Sequence, residues 1–476
     1  MPFWEALKHW IPIIADDYVW GWGPGFLLNI PLMVILLLGT GVVLTYSTGF
    51  VQLRRFRVAA GLVLAGALGK QKTQGEGDIT PFQALMTALS ATVGNGNIAG
   101  VASAIATGGP GAAFWMWITA VFGMATKYAE AVLGVRYRKV AADGSMAGGP
   151  MYYCEYGIKG KLGRFLGLFF AASGAIACLI GTGNMFQTNS MAVAAAQQFR
   201  VPQWLTGAVV ATLVGLVIIG GIKRIAVVAE KLVPTMILLY FGGALAVILW
   251  RIVDVPAAIA LIFESAFSPR AALGGMVGIG IQQAVRFGVA RGILSNESGL
   301  GSAPIAHGAA KTRDPVQQGQ IAMMGTFIDT IVVCSLTSIA ITVTGAYKMG
   351  PLYLGSGEAL NSIDMTTHAF NTVLPFGGVI VTLGSFLFGI STLLGWCYYG
   401  EKCTEYLFGL RIQHAYRLTF IALMFLGSLP SQAGIQTVVK IGDLGNALMA
   451  APNLIALLLL AREVGRITRA SRVPST

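Results

Sequence analysis

Two glycines alternate with two asparagines at Gly94, Asn95, Gly96 and Asn97, in the middle of a stretch without charged residues. Residues 79–126 contain no Asp, Glu, Lys or Arg, and these 48 residues could cross a bilayer twice, because one helical crossing needs about 20 apolar residues. Glycine weakens a helix, and an asparagine amide needs hydrogen-bond partners where no water is available. A helix interrupted at membrane depth is stable only where it lines a cavity, so the cluster predicts a binding site inside the membrane.

The chemistry of such an interruption follows from the backbone groups that it releases. A helix that restarts near Ile98 has free N–H groups with a partial positive charge, which bind a carboxylate without any arginine. The carbonyl groups of the preceding half-helix are released to bind a cation. Close helix packing would explain the glycines but not the two asparagines. A dinucleotide-binding glycine motif needs a preceding strand and a later acidic residue, and the apolar segment 114–117 that follows excludes it.

An acidic residue within a hydrophobic stretch is a second candidate. Asp329 lies in the stretch 318–346, where an ionised carboxylate costs about 3 kcal/mol on insertion scales. No Lys or Arg stands three or four positions from Asp329, whereas Lys127 and Glu130 are spaced as an i,i+3 pair. Asp329 is therefore predicted to bind a cation or to carry a proton. The alternative is a helix-packing acid that bonds to neighbouring backbone groups.

Hydroxyl and aromatic side chains combine on a third hydrophobic segment. Ser391 and Thr392 are adjacent, and their hydroxyl oxygens are hard ligands of the kind that suits Na⁺. The alternative is that each hydroxyl bonds to a carbonyl of its own helix. Trp396 lies four positions after Thr392 and shares a helix face with it. Trp396 is too deep for the interfacial aromatic belt, which favours the floor of a small pocket.

Amide side chains concentrate in a further hydrophobic segment, residues 181–189. Such a density of amides in a membrane helix predicts a face that lines a cavity. Asn184, Phe186 and Gln187 are the candidates, and because together they cover more than half a turn, periodicity does not choose among them.

The composition excludes several classes of protein. The chain has 476 residues, of which 55% are hydrophobic and 11% charged, whereas a soluble domain carries about 25% charged residues. The net charge of +12 is expected from basic loops on the inner side of a membrane, not from binding of nucleic acid. The five cysteines form no CxxC and the four histidines no HExxH, so neither a disulfide framework nor a zinc site is predicted. Without a nucleophile–base pair either, we expect no enzyme and no cofactor.

Hydrophobic windows predict an all-α polytopic protein with about eleven transmembrane helices. The seventh window is too long for one straight helix, so a break or a surface helix is expected in it. The windows lie near 25–46, 80–106, 111–135, 165–196, 203–221, 226–250, 276–306, 318–346, 373–400, 412–429 and 433–461.

The distribution of basic residues predicts the orientation. Of the 32 Lys and Arg residues, 22 fall in one set of connections, five in the opposite set and five within the windows. Because basic loops remain cytoplasmic, the N-terminus is expected outside and the C-terminus inside the plasma (inner) membrane. Residues 1–79 are then an interfacial segment, an extra helix and a cytoplasmic loop, with no cleaved signal peptide expected.

Ten windows remain after the first, and they divide into two halves of five. The halves are 80–250 and 276–461, joined by an extracellular connection 251–275 and followed by a basic tail 462–476. An odd number of crossings per half makes the two halves inverted relative to each other. Each half opens with an interrupted segment, 94–97 in the first and 292–296 in the second. Paired interruptions indicate the binding site of a secondary transporter.

These features can be compared with the requirements of three classes of function. A cation-coupled transporter accounts for both interruptions and for Asp329. A channel would also use broken helices, but it usually needs a ring of subunits or a charged pore lining. A membrane-embedded enzyme lacks a candidate catalytic pair. Within the first class, the coupling ion is either Na⁺ or, through Asp329, H⁺.

Several strings resemble the alanine or glycine:cation symporter family, over about residues 20–460. The strings are GNIAGV (96–101), GGPGAAFWMW (108–117), MATKYAE (124–130), AGGPMYY (147–153), SNESGLGSAPIAH (295–307) and LGWCYYGE (394–401). The resemblance implies a leucine-transporter-like five-plus-five inverted repeat with one extra N-terminal helix. It also implies Na⁺-coupled uptake of small neutral amino acids such as alanine and glycine. The family more usually has Thr or another small residue at the position of Asn95, which leaves the substrate preference open.

The resemblance also implies roles for residues. Backbone groups at Asn95, Gly96 and Asn97 are expected to bind the substrate carboxylate, and carbonyls near 293–295 its ammonium. One sodium site is expected at Asn97 and Asp329, and a second at Ser391 and Thr392 with the first interruption. The predicted substrate-binding residues are Asn95, Gly96, Asn97, Phe186, Gln187, Ile293, Ser295, Thr392 and Trp396.

Overall fold

The computed structural model describes residues 32–71, 75–181, 183–267, 279–354, 360, 362–429 and 432–471, and these are helical apart from loops and one short β-ribbon. The predicted interfacial segment and the beginning of the first predicted crossing lie outside the described residues. So do residues 268–275 of the predicted connection and the last five residues of the basic tail.

In the first half of the chain, the described residues form twelve helices and the ribbon. In chain order the helices are α1 (Leu32–Ser47), α2 (Val51–Arg54), α3 (Phe56–Ala67), α4 (Pro81–Thr92), α5 (Val101–Gly108), α6 (Ala112–Arg136), α7 (Pro150–Tyr153), α8 (Gly160–Ile180), α9 (Met185–Phe199), α10 (Gln203–Ile218), α11 (Gly221–Trp250) and α12 (Val255–Phe267). The strands β1 (Lys139–Val140) and β2 (Met146–Ala147) pair antiparallel. Two π-helical segments, Gly96–Gly100 and Cys154–Ile158, and a 3₁₀ turn, Ile252–Asp254, complete this half.

The described residues of the second half form nine helices. They are α13 (Ile279–Asn296), α14 (Ala303–Gly308), α15 (Pro315–Thr326), α16 (Ser335–Val343), α17 (Pro351–Leu354), α18 (Ile363–Asn371), α19 (Gly377–Phe408), α20 (Gln413–Gly427) and α21 (Gln432–Ala470). A π-helical segment, Phe327–Cys334, joins α15 to α16, and 3₁₀ turns lie at Ala346–Met349 and Leu410–Ile412.

Six helical stretches within the described ranges are long and apolar enough to cross a bilayer. They are Ala112–Arg136, Gly160–Phe199, Gly221–Trp250, Pro315–Val343, Gly377–Phe408 and Lys440–Ala470. Shorter apolar helices occur at Leu32–Ser47, Phe56–Ala67 and Gln203–Ile218. The all-α class is confirmed, whereas the number of eleven crossings and the inverted repeat stay predictions.

Two segments predicted as connections are helical instead. The predicted cytoplasmic loop before residue 80 contains α3, and the predicted connection 251–275 contains α12. Both helices are apolar, with at most one charged residue each. They were missed because each follows charged residues, such as Arg54 and Arg55 before α3 and Asp254 before α12.

Helix starts are set by local sequence signals. Thr80 caps α4 by accepting a hydrogen bond from the N–H of Gln83, whose side chain bonds back to the Thr80 N–H, and Pro81 occupies the first turn. This reciprocal capping box satisfies two N–H groups that a helix start would leave unpaired. Asp314 caps α15 in a simpler way, by accepting from the N–H of Val316.

Helix α6 lies in the middle of the bundle and packs against α1, α13 and α15. Small residues allow the close approach: a Cβ at Gly319 of α15 would lie 2.7 Å from Cγ2 of Val132 on α6. Beyond the end of α6, the Arg138 guanidinium binds backbone carbonyls on two separate loops. It donates to the carbonyls of Glu76, Gly308, Ala310 and Thr312, at 2.6 to 3.2 Å. Arg138 therefore ties the segment before α4 to the segment after α14.

Candidate functional site

The first predicted interruption is present between α4 and α5. Helix α4 ends at Thr92, Val93 takes an extended conformation (φ −75°, ψ 93°), and the chain re-enters helical geometry through the π-helical segment Gly96–Gly100. Gly94 lies against α19, where a Cβ would stand 2.4 Å from Oγ1 of Thr392. The glycine therefore permits the contact between the interruption and α19.

Side-chain amides take up the N–H groups that this interruption releases. The N–H of Gly94 donates to Asn97 Oδ1 at 2.9 Å, and the N–H of Asn95 donates to Gln187 Oε1 at 3.4 Å. The Asn95 side chain also donates to Gln187 Oε1, at 3.0 Å, and accepts from the hydroxyl of Ser385 at 2.6 Å. The N–H of Asn97 is bonded to the Gly94 carbonyl at 3.0 Å. Of the three predicted carboxylate donors, the N–H groups of Asn95 and Asn97 thus already have partners.

The second interruption lies later than the predicted segment 292–296. Helix α13 continues through Asn296, and the irregular segment is 297–302, before α14. Three residues of this segment have left-handed backbone conformations: Glu297 (φ +54°), Gly299 (φ +93°) and Gly301 (φ +82°). The sequence misled because Gly292 reads as a helix breaker, whereas Gly292 packs against Thr119 of α6, where a Cβ would stand 2.4 Å from Oγ1.

The last turn of α13 includes two carbonyls of cavity-lining residues without their helical partners. The N–H of Glu297 still bonds to the Ile293 carbonyl at 2.8 Å. The next two N–H groups are directed elsewhere: that of Ser298 donates to Asn296 Oδ1 at 3.0 Å, and that of Gly299 to Glu130 Oε1 at 3.1 Å. The carbonyls of Leu294 and Ser295 are therefore released from the helix.

Asp329 joins the two interruptions. It is completely buried in the π-helical segment Phe327–Cys334, and such segments often mark functional sites. Its carboxylate accepts from Nδ2 of Asn97 at 2.7 Å, from the Ser295 hydroxyl at 2.8 Å and from the Thr330 hydroxyl at 2.8 Å. The Asn97 amide also bonds to Ser295 Oγ at 3.0 Å. Residues predicted from three separate segments thus meet at one carboxylate.

The hydroxyl pair on α19 lies beside the first interruption. Ser391 Oγ stands 3.4 Å from the Val93 carbonyl, whose usual helical donor, the Asn97 N–H, is bonded elsewhere. Both Ser391 and Thr392 also donate to the Phe388 carbonyl of their own helix at 2.9 Å. These intrahelical bonds are the alternative that the sequence left open, and they leave the hydroxyl lone pairs as acceptors for a cation.

A cavity lies between the interruptions, α9 and α19. Its lining mixes small, aromatic and polar side chains. The lining residues are Ala91, Thr92, Gly94, Gly96, Gly100, Phe186, Gln187, Arg291, Leu294, Ser295, Glu297, Thr392 and Trp396. The structure therefore brings Gly96, Phe186, Gln187, Ser295, Thr392 and Trp396 together, as predicted.

Ile293 is placed differently from the prediction. It contributes to a separate small pocket that is also lined by Leu37 and Leu38 of α1. The next residue, Leu294, lines the cavity instead. Helix residues differ by about 100° in direction, so an error of one position in the phase of α13 moves a side chain to another face. This correction replaces Ile293 by Leu294 in the cavity wall.

Arg291 and Glu297 line the cavity but were not proposed from the sequence. Arg291 is one of the five basic residues within the hydrophobic windows, and Glu297 belongs to the SNESGLGSAPIAH string. A carboxylate within the long seventh window was the signal that could have revealed Glu297, by the reasoning that selected Asp329. In the structure the Glu297 carboxylate is buried and accepts from the Ser302 hydroxyl at 2.5 Å.

Trp396 packs closely against Gly183. A Cβ at Gly183 would stand 2.2 Å from Cδ2 of the Trp396 ring. The indole is 3% exposed and also contacts the Tyr399 ring edge-on, at 6.3 Å between centroids. Its position is therefore determined by close packing on two sides.

Lys127 and Glu130 were predicted as an i,i+3 pair on α6, and both are buried. Glu130 Oε1 accepts from the N–H groups of Gly299 and Gly301 and from Nδ2 of Asn453, at 3.1, 3.0 and 2.7 Å. Among the described residues, Lys127 Nζ has no hydrogen-bond partner. The carboxylate is therefore engaged mainly with the second interruption.

Comparison with known proteins decides the family. The sequence profile of the sodium:alanine symporter family matches residues 18–472. The chain belongs to the sodium:alanine symporter family. A sodium/alanine symporter, AgcS, of Methanococcus maripaludis is 47% identical over 457 residues, covering 96% of this chain and 95% of the relative. The probable sodium/glutamine symporter GlnT of Bacillus subtilis is 36% identical, covering 97% of this chain and 90% of the relative.

A solved structure supports the fold. The crystal structure of MhsT in complex with L-phenylalanine aligns with a TM-score of 0.55, covering 83% of this chain and 99% of MhsT. At 14% sequence identity this likeness concerns the fold alone. Together with the apolar helices, the family membership establishes a multi-pass membrane protein of the symporter class.

Proposed function

We propose that this member of the sodium:alanine symporter family couples the inward movement of Na⁺ to the uptake of a small neutral amino acid, such as alanine or glycine. The observation that carries the proposal is the junction at Asp329, where Asn97 of the first interruption and Ser295 at the end of α13 bind one carboxylate. Ser295 also lines the cavity. An ion bound at Asp329 would therefore be in contact with the substrate cavity, as coupling requires. The name of AgcS supports alanine and sodium.

The substrate zwitterion fits the backbone groups that the interruptions provide. We place its carboxylate at Gly96, which lines the cavity at the start of the restarted helix, where helix N-termini favour anions. Its ammonium is placed at the released carbonyls of Leu294 and Ser295. Phe186 and Trp396 then enclose the side chain, with Thr392 and Gln187 on the same wall.

Two positions for Na⁺ follow from oxygen ligands at the interruptions. The first comprises Asp329, the Thr330 and Ser295 hydroxyls that contact it, and Asn97. The second comprises the Val93 carbonyl with the hydroxyls of Ser391 and Thr392. The oxygens of both sets are hard donors, which suit Na⁺. Asn97 faces Asp329 through Nδ2 in this structure, so it would join the first set only by turning its Oδ1 towards the ion.

Proton coupling through Asp329 is the second candidate, and the hydrogen bonds favour Na⁺. All three side chains that contact the Asp329 carboxylate can donate to it. An ionised carboxylate only accepts hydrogen bonds, so three donors match the charged form. A charged carboxylate is a cation ligand, whereas a proton carrier would need to be neutral for part of the cycle.

We also propose that the two halves, 80–250 and 276–461, form a five-plus-five inverted repeat. The two interruptions then lie at corresponding places, 93–95 and 297–302. The excess of basic residues in one set of connections supports an orientation with the N-terminus outside and the C-terminus in the cytoplasm.

The ion gradient is sufficient to drive the uptake. One Na⁺ that moves inward gains about 2.3 kcal/mol per 100 mV, and a tenfold concentration gradient adds about 1.4 kcal/mol. At full coupling to one ion, these contributions support accumulation of a neutral zwitterion by roughly several hundredfold. Coupling requires the carrier to rearrange when both ligands are bound and to remain in place with the ion alone.

Uptake of radiolabelled alanine and glycine into proteoliposomes tests the proposal. Na⁺ and pH gradients are imposed separately, with protein-free liposomes as the control. We expect saturable uptake that follows the Na⁺ gradient and is unchanged by a pH gradient alone. Uptake driven by the pH gradient in the absence of Na⁺ would replace the ion assignment, and uptake that does not saturate would favour a channel.

A further inference from the structure

Helix α6 contributes no residue to the cavity lining, yet its single carboxylate, Glu130, is bound to the backbone of the second interruption. Glu130 is 0% exposed, and its Oε1 accepts from the N–H groups of Gly299 and Gly301 at 3.1 and 3.0 Å. The same oxygen accepts from Nδ2 of Asn453, which also donates to the Gly299 carbonyl at 2.8 Å. One buried oxygen therefore holds both ends of a three-residue stretch of the interruption.

The Gly299 N–H is the group that a continuous helix would direct to the Ser295 carbonyl. Glu130 thus competes with Ser295 for the same donor, and in this structure Glu130 has it. The Ser298 N–H, which would bond to the Leu294 carbonyl, is likewise held by Asn296 Oδ1. Both released carbonyls belong to residues that line the cavity.

From this competition we infer that Glu130 is a positioning residue for substrate recognition, which keeps the Ser295 carbonyl free by holding the Gly299 N–H. The inference rests on the proposed function, in which that carbonyl receives the substrate ammonium. Glu130 itself does not contact the cavity.

The surroundings show that the segment is built around this contact. Gly299 and Gly301 both have left-handed conformations, and their Cβ positions are occupied: a Cβ at Gly301 would lie 2.6 Å from Cγ of Pro150, and one at Gly299 2.6 Å from Cδ2 of Leu37. Glycine is therefore required at both positions, and their N–H groups converge on one oxygen. Two converging backbone N–H groups form an anion-binding concavity, and here the anion is a side chain of α6.

A simple ion pair within α6 explains the arrangement less well. Glu130 Oε1 accepts hydrogen bonds from the interruption and from Asn453. Glu130 Oε2 and Lys127 Nζ have no hydrogen-bond partner in the described parts of the chain. Lys127 lies three positions before Glu130 on α6. The contacts of Glu130 are those of an acceptor for backbone N–H groups.

Two variants of Glu130 separate the role of the acceptor from that of the charge. Glu130→Gln keeps a side-chain oxygen of the same reach, which can still accept from Gly299 and Gly301. Glu130→Ala removes the acceptor, so the Gly299 N–H is expected to return to the Ser295 carbonyl. The control is Glu463→Ala on α21, which removes a half-buried hydrogen bond of 2.8 Å from the Tyr137 hydroxyl and does not touch the interruption.

The first readout is alanine uptake in proteoliposomes as a function of alanine concentration at saturating Na⁺. For Glu130→Ala we expect the KM for alanine to rise about tenfold or more, the effect of losing one hydrogen bond to a charged group. The maximal rate per folded transporter and the Na⁺ half-saturation are expected to change less than about threefold. Glu130→Gln is expected to restore the KM to within about threefold of the wild type, and Glu463→Ala to leave it unchanged. A loss of maximal rate with an unchanged KM would overturn the inference.

The second readout does not depend on transport. Amide hydrogen exchange of the peptide that contains 297–302 is measured in nanodiscs for the wild type and the three variants. We expect faster exchange for Glu130→Ala, because the Gly301 N–H loses its acceptor, and wild-type exchange for Glu130→Gln and Glu463→Ala. Equal exchange in all four proteins would overturn the inference. If the wild type does not transport alanine, the proposed function fails, and the exchange comparison still tests whether Glu130 holds the segment.

Discussion

Replacement of Asp329 by asparagine tests whether this carboxylate binds the coupling ion or only packs the helices. The side chain is completely buried, and it accepts from Asn97 at 2.7 Å and from the hydroxyls of Ser295 and Thr330 at 2.8 Å. Asparagine has the same shape and loses only the charge and one acceptor. Because the two hydroxyls can accept as well as donate, they can rotate to receive the new N–H groups. The fold is therefore expected to tolerate Asp329→Asn.

The magnitude follows from the loss of one charged ligand. A contact with a charged group contributes about 1.5–3 kcal/mol, which corresponds to roughly a 10- to 150-fold change in an equilibrium constant. We expect the half-saturation concentration of Na⁺ to rise by that factor in Asp329→Asn. The maximal rate at saturating Na⁺, where it is reached, is expected to fall less.

The assay is initial alanine uptake in proteoliposomes at increasing Na⁺ concentration, with choline as the replacing cation. Asp254→Asn is the control, because Asp254 is exposed and lies 3.6 Å from Arg251 at the end of α11. A thermal unfolding curve for each protein verifies folding. An Asp329→Asn protein with the wild-type Na⁺ half-saturation, whether or not its melting temperature falls, would refute the assignment and leave the packing role.

Four further outcomes are expected. Trp396→Leu should admit larger side chains, so that leucine inhibits alanine uptake. Gly183→Ala should displace the indole and raise the KM for alanine. Both effects are measured by competition in proteoliposomes. Arg138→Lys should lower the melting temperature, because an ammonium cannot reach all four carbonyls that the guanidinium binds. The free energy of unfolding is expected to fall by about 2–4 kcal/mol, which fluorescence-monitored unfolding measures. Propionate should compete at least about 100-fold more weakly than alanine, since without an ammonium it leaves the carbonyls of Leu294 and Ser295 unpaired; equal competition would contradict the proposed substrate orientation.

The sequence was informative where one residue type has few uses in a membrane. Asp329 was selected because an unpaired acid in a hydrophobic stretch is costly, and the cluster at 94–97 because amides and glycines together rarely anchor a helix. The structure places Asn97 2.7 Å from Asp329, although 231 residues separate them along the chain. The chemical types of the side chains are therefore enough to indicate the site, but not its contacts.

Phase and packing were beyond the sequence. The choice between Ile293 and Leu294 depends on the rotation of α13 about its axis, which is set by contacts such as Gly292 with Thr119. The exact position of the second interruption depends on Glu130, a residue of another helix. A hydrophobicity window contains no information about such a partner. The predicted break at 292–296 was accordingly displaced to 297–302.

The two interruptions share one chemical solution. An unpaired N–H group within a bilayer costs several kcal/mol, and in both interruptions side-chain oxygens take up these donors: Asn97 and Gln187 in the first, Asn296 and Glu130 in the second. These four side chains use their oxygens as acceptors, so they donate no hydrogen bond in return to the carbonyls that have lost their helical N–H partners. Carbonyl oxygens bind cations, and the two ligands that the proposed function requires, Na⁺ and a substrate ammonium, are both cations. The arrangement of the capping side chains thus determines which kind of ligand completes the site: amide and carboxylate oxygens bind the N–H groups and leave carbonyl oxygens for a cation.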